Sequence, residues 1–154
     1  MITIEVRAVD KNGNIRILKP DELEFGYRKS VFQSNEFVIL SAKFRLEKGN
    51  REDILEKMNE LMDKRRDKQP LEYPNAGSTF KRPEGQFAGK LIEDCGLRGF
   101  EIGGAQVSSK HCGFIINKGN ATFDDVIKLI EHIKKTVLQQ TGYHLECEVR
   151  ILGS

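Results

Sequence analysis

The sequence predicts an α+β fold, and three observations carry that class. Alternating apolar and polar residues stand on both sides of an Asn12-Gly13 turn, the pattern of a β-hairpin. An amphipathic helix follows, opened by Asn50 and stopped by Pro70. Helical and strand patterns then mix to the C-terminus, which separates this arrangement from a strictly alternating α/β chain.

Each element has its own warrant. Ile4 to Val9 alternates as a strand does, Asp10-Lys11-Asn12-Gly13 supplies turn chemistry, and Ile15 to Leu18 returns. Phe37 to Leu46 is a third strand, expected to place Val38, Leu40, Ala42, Phe44 and Leu46 on one face. The helix after Asn50 repeats Ile54, Leu55, Met58, Leu61 and Met62 at helical spacing. Its acids Glu52 and Asp53 sit at the positive end, and Lys64, Arg65 and Arg66 sit at the negative end. Tyr73 to Gly85 reads as loop, Ala88 to Cys95 as a short helix ended by Gly96, and Gly113 to Asn117 as a strand. Thr122 and Asp125 make a near capping box for a helix carrying Val126, Ile127, Ile130, Ile133, Val137 and Leu138, with Gly142 after it. Leu145, Cys147, Val149 and Ile151 alternate with Glu146, Glu148 and Arg150 in a final strand.

Composition bounds the function. Of 154 residues, 38% are hydrophobic and 31% charged, enough for a packed core and too apolar for a disordered chain. A formal net charge of +2 and the absence of Trp leave no basic, aromatic-rich footprint, so no nucleic-acid partner is expected. No apolar run reaches the length of a membrane span, and the N-terminus lacks the build of a signal peptide. The expected location is the cytoplasm. Cys95, Cys112 and Cys147 form no CxxC pair and have no zinc spacing with His111 or His132, so no metal site is expected and the thiols read as structural. His111 and Cys112 are adjacent, and adjacent strand residues point to opposite faces, which counts against a nucleophile and its base.

Three polar features exceed what folding requires. Asn75-Ala76-Gly77-Ser78-Thr79-Phe80 places the Ser78 hydroxyl in a glycine-containing bend, open to a ligand or to proton transfer. The spacing is not that of a P-loop, because Lys81 follows Ser78 instead of preceding it. Tyr27-Arg28 lies in an irregular stretch, and a guanidinium fork suits a carboxylate or phosphate. Glu148 and Arg150 share the polar side of the last strand. Taken singly, each is more readily a turn, a surface arginine or a solvent-facing pair. Gly103-Gly104-Ala105-Gln106 lacks the strand-GxGxxG-helix setting of a dinucleotide fingerprint.

In order and spacing, these segments resemble one family. The segments are 25–32 (Phe-Gly-Tyr-Arg-Lys-Ser-Val-Phe), 69–70, 74–83 (Pro-Asn-Ala-Gly-Ser-Thr-Phe-Lys-Arg-Pro), 88–99, 103–108, 114–117, 121–122 and 145–150. Together they look like the C-terminal half of UDP-N-acetylenolpyruvoylglucosamine reductases, in the shorter subtype that lacks an extra loop between Arg28 and Ser78. The resemblance implies reduction of UDP-N-acetylglucosamine enolpyruvate to UDP-N-acetylmuramate for peptidoglycan, with FAD as cofactor and NADPH as electron donor. It implies three catalytic residues: Ser78 as proton donor, Glu148 as active-site carboxyl and Arg28 as the grip on the substrate carboxylate. Tyr27, Lys81 and Arg82 match positions near the substrate.

The resemblance also implies a layout. Residues 1–49 correspond to the closing strands of a FAD-binding domain, 50–143 to a substrate-binding α+β domain, and 144–154 to a final strand packing back toward the FAD domain. The flavin-binding N-terminal half would be a missing partner, and the piece alone would be inactive. A hairpin edge left without its sheet invites self-pairing or a swapped dimer. The competing reading is a non-catalytic UDP-sugar binding module; retention of Arg28, Ser78 and Glu148 speaks against it.

Overall fold

The computed structural model describes residues 2–152. Met1, Gly153 and Ser154, the outermost residues of the first and last expected segments, lie outside them. The chain divides into two compact units, Met1–Ile54 and Leu55–Ser154. Helices and antiparallel sheets both occur, as the α+β class requires.

The first unit is a three-stranded antiparallel sheet of order β2-β1-β3, from β1 (Thr3–Asp10), β2 (Ile15–Leu18) and β3 (Phe37–Phe44). The hairpin turn closes through Asp10, whose carboxylate accepts the amides of Asn12 and Asn14, both at 2.9 Å, while Gly13 takes the left-handed conformation. Two short 3-10 turns, Pro20–Leu23 and Val31–Ser34, follow β2. Val6, Leu18 and Leu23 form a small core, with Val31 and Phe32 packed against it. On the other face Val9 stands between Ile15 and Val38, and Ile17 lies beside Arg7; Ile15, Ile17 and Val38 are exposed.

β3 departs from simple alternation. Its register shifts between Arg7↔Ser41 and Ala8↔Ile39, which leaves Leu40 as the extra residue of a bulge. Val38 therefore shares a face with Ser41 and Lys43, while Ala42 sits with Ile39. The single apolar face expected of this strand is broken at Leu40, because one inserted residue exchanges the two faces.

The helix α1 (Arg51–Lys68) starts where Asn50 accepts the amides of Glu52 and Asp53 at 2.8 and 3.2 Å. Its apolar residues Ile54, Leu55, Met58, Leu61 and Met62 all remain exposed.

The second unit has a four-stranded antiparallel sheet of order β4-β7-β6-β5: β4 (Asn75–Ser78), β5 (Glu101–Ile102), β6 (Ala105–Val107) and β7 (Phe114–Asn117). Two helices, α2 (Ala88–Asp94) and α3 (Phe123–Thr141), share its core. Leu91, Ile92, Leu129, Ile130, Ile133 and Val137 bury their side chains with Val107, Ile115 and Phe80. The α3 capping box is present: Thr122 accepts the Asp125 amide at 3.2 Å, and the Asp125 carboxylate accepts the Thr122 amide at 2.9 Å. Gly142, left-handed, ends the helix.

Two expectations are corrected in this unit. The stretch read as loop contains β4, whose register shifts between Asn75 and Ser78 around left-handed Gly77; the glycine bend is a bulge in an edge strand. The last segment forms no continuous strand: one isolated bridge, Phe80↔Cys147, joins it to the chain after β4. Among the described residues, no helix is long and apolar enough to cross a membrane.

Candidate functional site

Ser78 ends β4, opposite Phe114 of β7, and its hydroxyl donates to the Phe80 carbonyl at 3.3 Å. The next residue turns inward: Thr79 is buried, and its hydroxyl accepts the Ile115 amide at 3.2 Å. The Thr79 carbonyl accepts the Glu148 amide at 2.9 Å. Two stretches seventy residues apart thus meet, with Ser78 and Glu148 on adjacent extended segments. Glu148 is half-buried.

Lys81 and Arg82 continue from the same strand. The Lys81 amide donates to the Glu146 carbonyl at 2.8 Å, and its ammonium pairs with the Glu146 carboxylate. The Arg82 guanidinium lies 3.9 Å from the centre of the Phe87 ring, and its Nε donates to the Gln86 carbonyl at 3.3 Å. The chain therefore gathers Ser78, Lys81, Arg82 and Glu148 into one region of the second unit.

Tyr27 and Arg28 belong to the first unit, where they form the tip of a tight turn. The Gly26 amide donates to the Lys29 carbonyl at 3.0 Å, and the Lys29 amide returns to Gly26 at 3.2 Å. Tyr27 is 69% exposed, more open than a packed aromatic. Arg28 has a φ of 54°, a left-handed backbone that a long side chain seldom adopts.

Sequence reasoning set His111 aside with Cys112, and the structure gives His111 a different neighbour. A Cβ added at Gly113 would stand 3.0 Å from His111 Cε1 and 3.6 Å from Ser78 Oγ. The Gly113 amide donates to His111 Nδ1 at 3.1 Å. The signal was the spacing His111-x-Gly113, legible only once Gly113 is known to pass Ser78. Cys112 is core, and burial pushes its thiol above the ordinary range.

An apolar groove of about 490 Å³ lies between β4, β7, the start of α3 and the final segment. Ile116, Phe123, Ile127, Val149 and Ile151 line it, with Arg150 at one side; its lining includes neither Ser78 nor Glu148.

The glycine-rich bend at Gly103-Gly104 is closed by the chain itself. A Cβ on Gly104 would lie 2.2 Å from the Gly119 carbonyl oxygen and 2.4 Å from the Ala121 nitrogen. The space a pyrophosphate would need there holds backbone, so this bend does not fit a flavin or nicotinamide dinucleotide. Among the described residues no group of three or more His, Cys, Asp or Glu could hold a metal ion.

The second unit is thus an α+β domain that sets a hydroxyl, a carboxyl and two cationic side chains on neighbouring extended segments. The family described as UDP-N-acetylenolpyruvoylglucosamine reductase, C-terminal domain, matches residues 69–152, and the chain belongs to that family. It is 56% identical over 149 residues to the UDP-N-acetylenolpyruvoylglucosamine reductase of Caldanaerobacter subterraneus subsp. tengcongensis, covering 97% of this chain and 49% of that protein. The enzyme of that name from Lachnoclostridium phytofermentans is 56% identical over 147 residues, covering 96% of this chain and 47% of its own length. Among solved structures, UDP-N-acetylenolpyruvylglucosamine reductase from Thermus caldophilus superposes with a TM-score of 0.82 at 34% identity, covering 97% of this chain and 52% of that one. The chain spans about half the length of the curated relatives it matches.

Proposed function

We propose that this chain supplies the substrate-binding, proton-donating half of a reductase that converts UDP-N-acetylglucosamine enolpyruvate to UDP-N-acetylmuramate in the cytoplasm. The observation that carries the reading is 56% identity to a reductase of this name across 97% of the chain. Residues 1–49 are the closing strands of a flavin-binding domain, 50–143 the substrate domain and 144–154 a segment returning toward the flavin domain. The partner is the remaining half of the family's length. The exposed apolar residues of the first sheet and of α1 support such a partner, since isolated surfaces seldom carry so many.

FAD and NADPH would supply the hydride when bound. The work of this chain is to stabilise and quench charge. Addition at the terminal enol carbon leaves an electron pair on the carbon next to the carboxylate. Arg28 holds that carboxylate with a bidentate fork, opposing the charge that spreads into its oxygens. Ser78 gives its hydroxyl proton to the carbon, a modest demand because the acceptor is strongly basic. Glu148 acts as the active-site carboxyl beside the centre where the charge develops. Tyr27, Lys81 and Arg82 bind polar parts of the substrate.

The test is reconstitution. Mixing this chain with the separately produced N-terminal half should restore enolpyruvate-dependent NADPH oxidation. A mixture that retains flavin yet never turns over would overturn the reading.

A further inference from the structure

The Arg28 turn holds the wrong residue for its shape. Four residues, Gly26 to Lys29, close it with two backbone hydrogen bonds. Of its two central residues, only Arg28 has a positive φ. That is the pattern of a type II turn, whose third position calls for glycine or asparagine. A long side chain there brings Cβ against the neighbouring carbonyl. Local strain of this kind persists only where surrounding contacts enforce it.

One contact fits that duty. The Gln33 side-chain amide donates to the Arg28 carbonyl at 2.6 Å. Gln33 is itself fixed, since it lies in the Val31–Ser34 3-10 turn and its own amide donates to the Ser30 carbonyl at 3.2 Å. Phe32 and Val31 anchor that turn on the small core. The path from core to 3-10 turn to Gln33 to the Arg28 carbonyl is continuous.

We infer that Gln33 is a positioning residue: it holds Arg28 in the left-handed conformation and so fixes where the guanidinium stands. This rests on the reading of Arg28 as the carboxylate grip. Without the Gln33 amide, the turn relaxes toward an ordinary φ and the guanidinium moves with it.

Comparing Arg28→Gly with Arg28→Ala isolates the strain, because both remove the side chain and only glycine escapes the left-handed penalty. Native-state hydrogen exchange at Val6 and Ala8 in β1 reads the opening of this unit. With Gln33 in place, Arg28→Gly should open roughly fivefold less often than Arg28→Ala. In Gln33→Leu the gap should shrink to about twofold or less, or reverse. An equal gap in both backgrounds overturns the inference. This measurement uses the chain alone, so it stands apart from the reductase reading. In the reconstituted enzyme, Gln33→Leu should lower kcat/KM for the enolpyruvyl substrate severalfold while leaving flavin reduction by NADPH unchanged. An unchanged kcat/KM for that substrate would remove Gln33 from the positioning role.

Discussion

Replacing Gly104 by alanine should be among the most damaging single changes in the second unit. The added methyl would sit 2.2 Å from the Gly119 oxygen, 2.4 Å from the Ala121 nitrogen and 2.7 Å from its Cα. All three are backbone atoms, so no side chain can swing aside. The β5–β6 turn must part from the 119–121 stretch by about an ångström, judged against ordinary packing contacts of about 3.5 Å or more. The parting also breaks the 2.9 Å bond from the Lys118 amide to the Gly104 carbonyl. Overpacking costs about 1–3 kcal/mol, and a lost hydrogen bond about 1 kcal/mol more. A loss of about 3 kcal/mol follows. With a urea slope of about 2 kcal/mol/M, the midpoint followed by circular dichroism should fall by about 1.5 M at unchanged slope. Gly142→Ala is the control: nothing lies within 4 Å of its Cβ position, so only its left-handed φ of 75° counts, about 1 kcal/mol. Equal midpoints for Gly104→Ala and the unchanged chain would refute the close approach.

Three further outcomes follow from the same geometry. The Thr122 amide and hydroxyl, joined by the Gly104 amide, hold the Asp125 carboxyl below its ordinary 3.8. Its stabilising effect should be present above that value and lost as pH falls through the lowered one; Asp125→Asn should flatten that part of the melting-temperature profile. Burial raises the Cys112 thiol, so in folded protein at pH 8 it should react with a thiol reagent far more slowly than in urea, and equal rates would contradict its core position. In the reconstituted enzyme, Arg28→Lys should lower kcat/KM for the enolpyruvyl substrate by about tenfold despite the retained charge, because the fork is lost; steady-state kinetics at fixed NADPH would measure it.

The hairpin, α1 and α3 were legible because local chemistry decides them: Asn12-Gly13 turns, Asn50 and Thr122 cap, and Gly142 stops. β4 was hidden because its pairing depends on β7, nearly forty residues later, and its glycine reads as a bend when the partner strand is unseen. The Leu40 bulge escaped for a related reason, since alternation cannot announce an inserted residue whose slip is set by the neighbouring strand. The final strand failed in the opposite sense: perfect alternation in 145–151 yields one bridge, because β4 and its extension offer only a short edge to pair with. Of the candidate site, Ser78 and Glu148 were found through the ordered run of family segments, not through pattern, and their meeting through Thr79 could not be read from either stretch alone. α1 shows the limit most clearly. Its stripe was read correctly as apolar, yet burial is a property of what lies against it.

The central claim is that Ser78 delivers the proton that completes reduction. Rapid mixing of the reconstituted enzyme separates flavin reduction by NADPH from product formation. Ser78→Ala should leave the first rate within about twofold and slow the second by at least about a hundredfold, the range of a missing proton donor. Equal slowing of both steps, or of neither, would contradict the account.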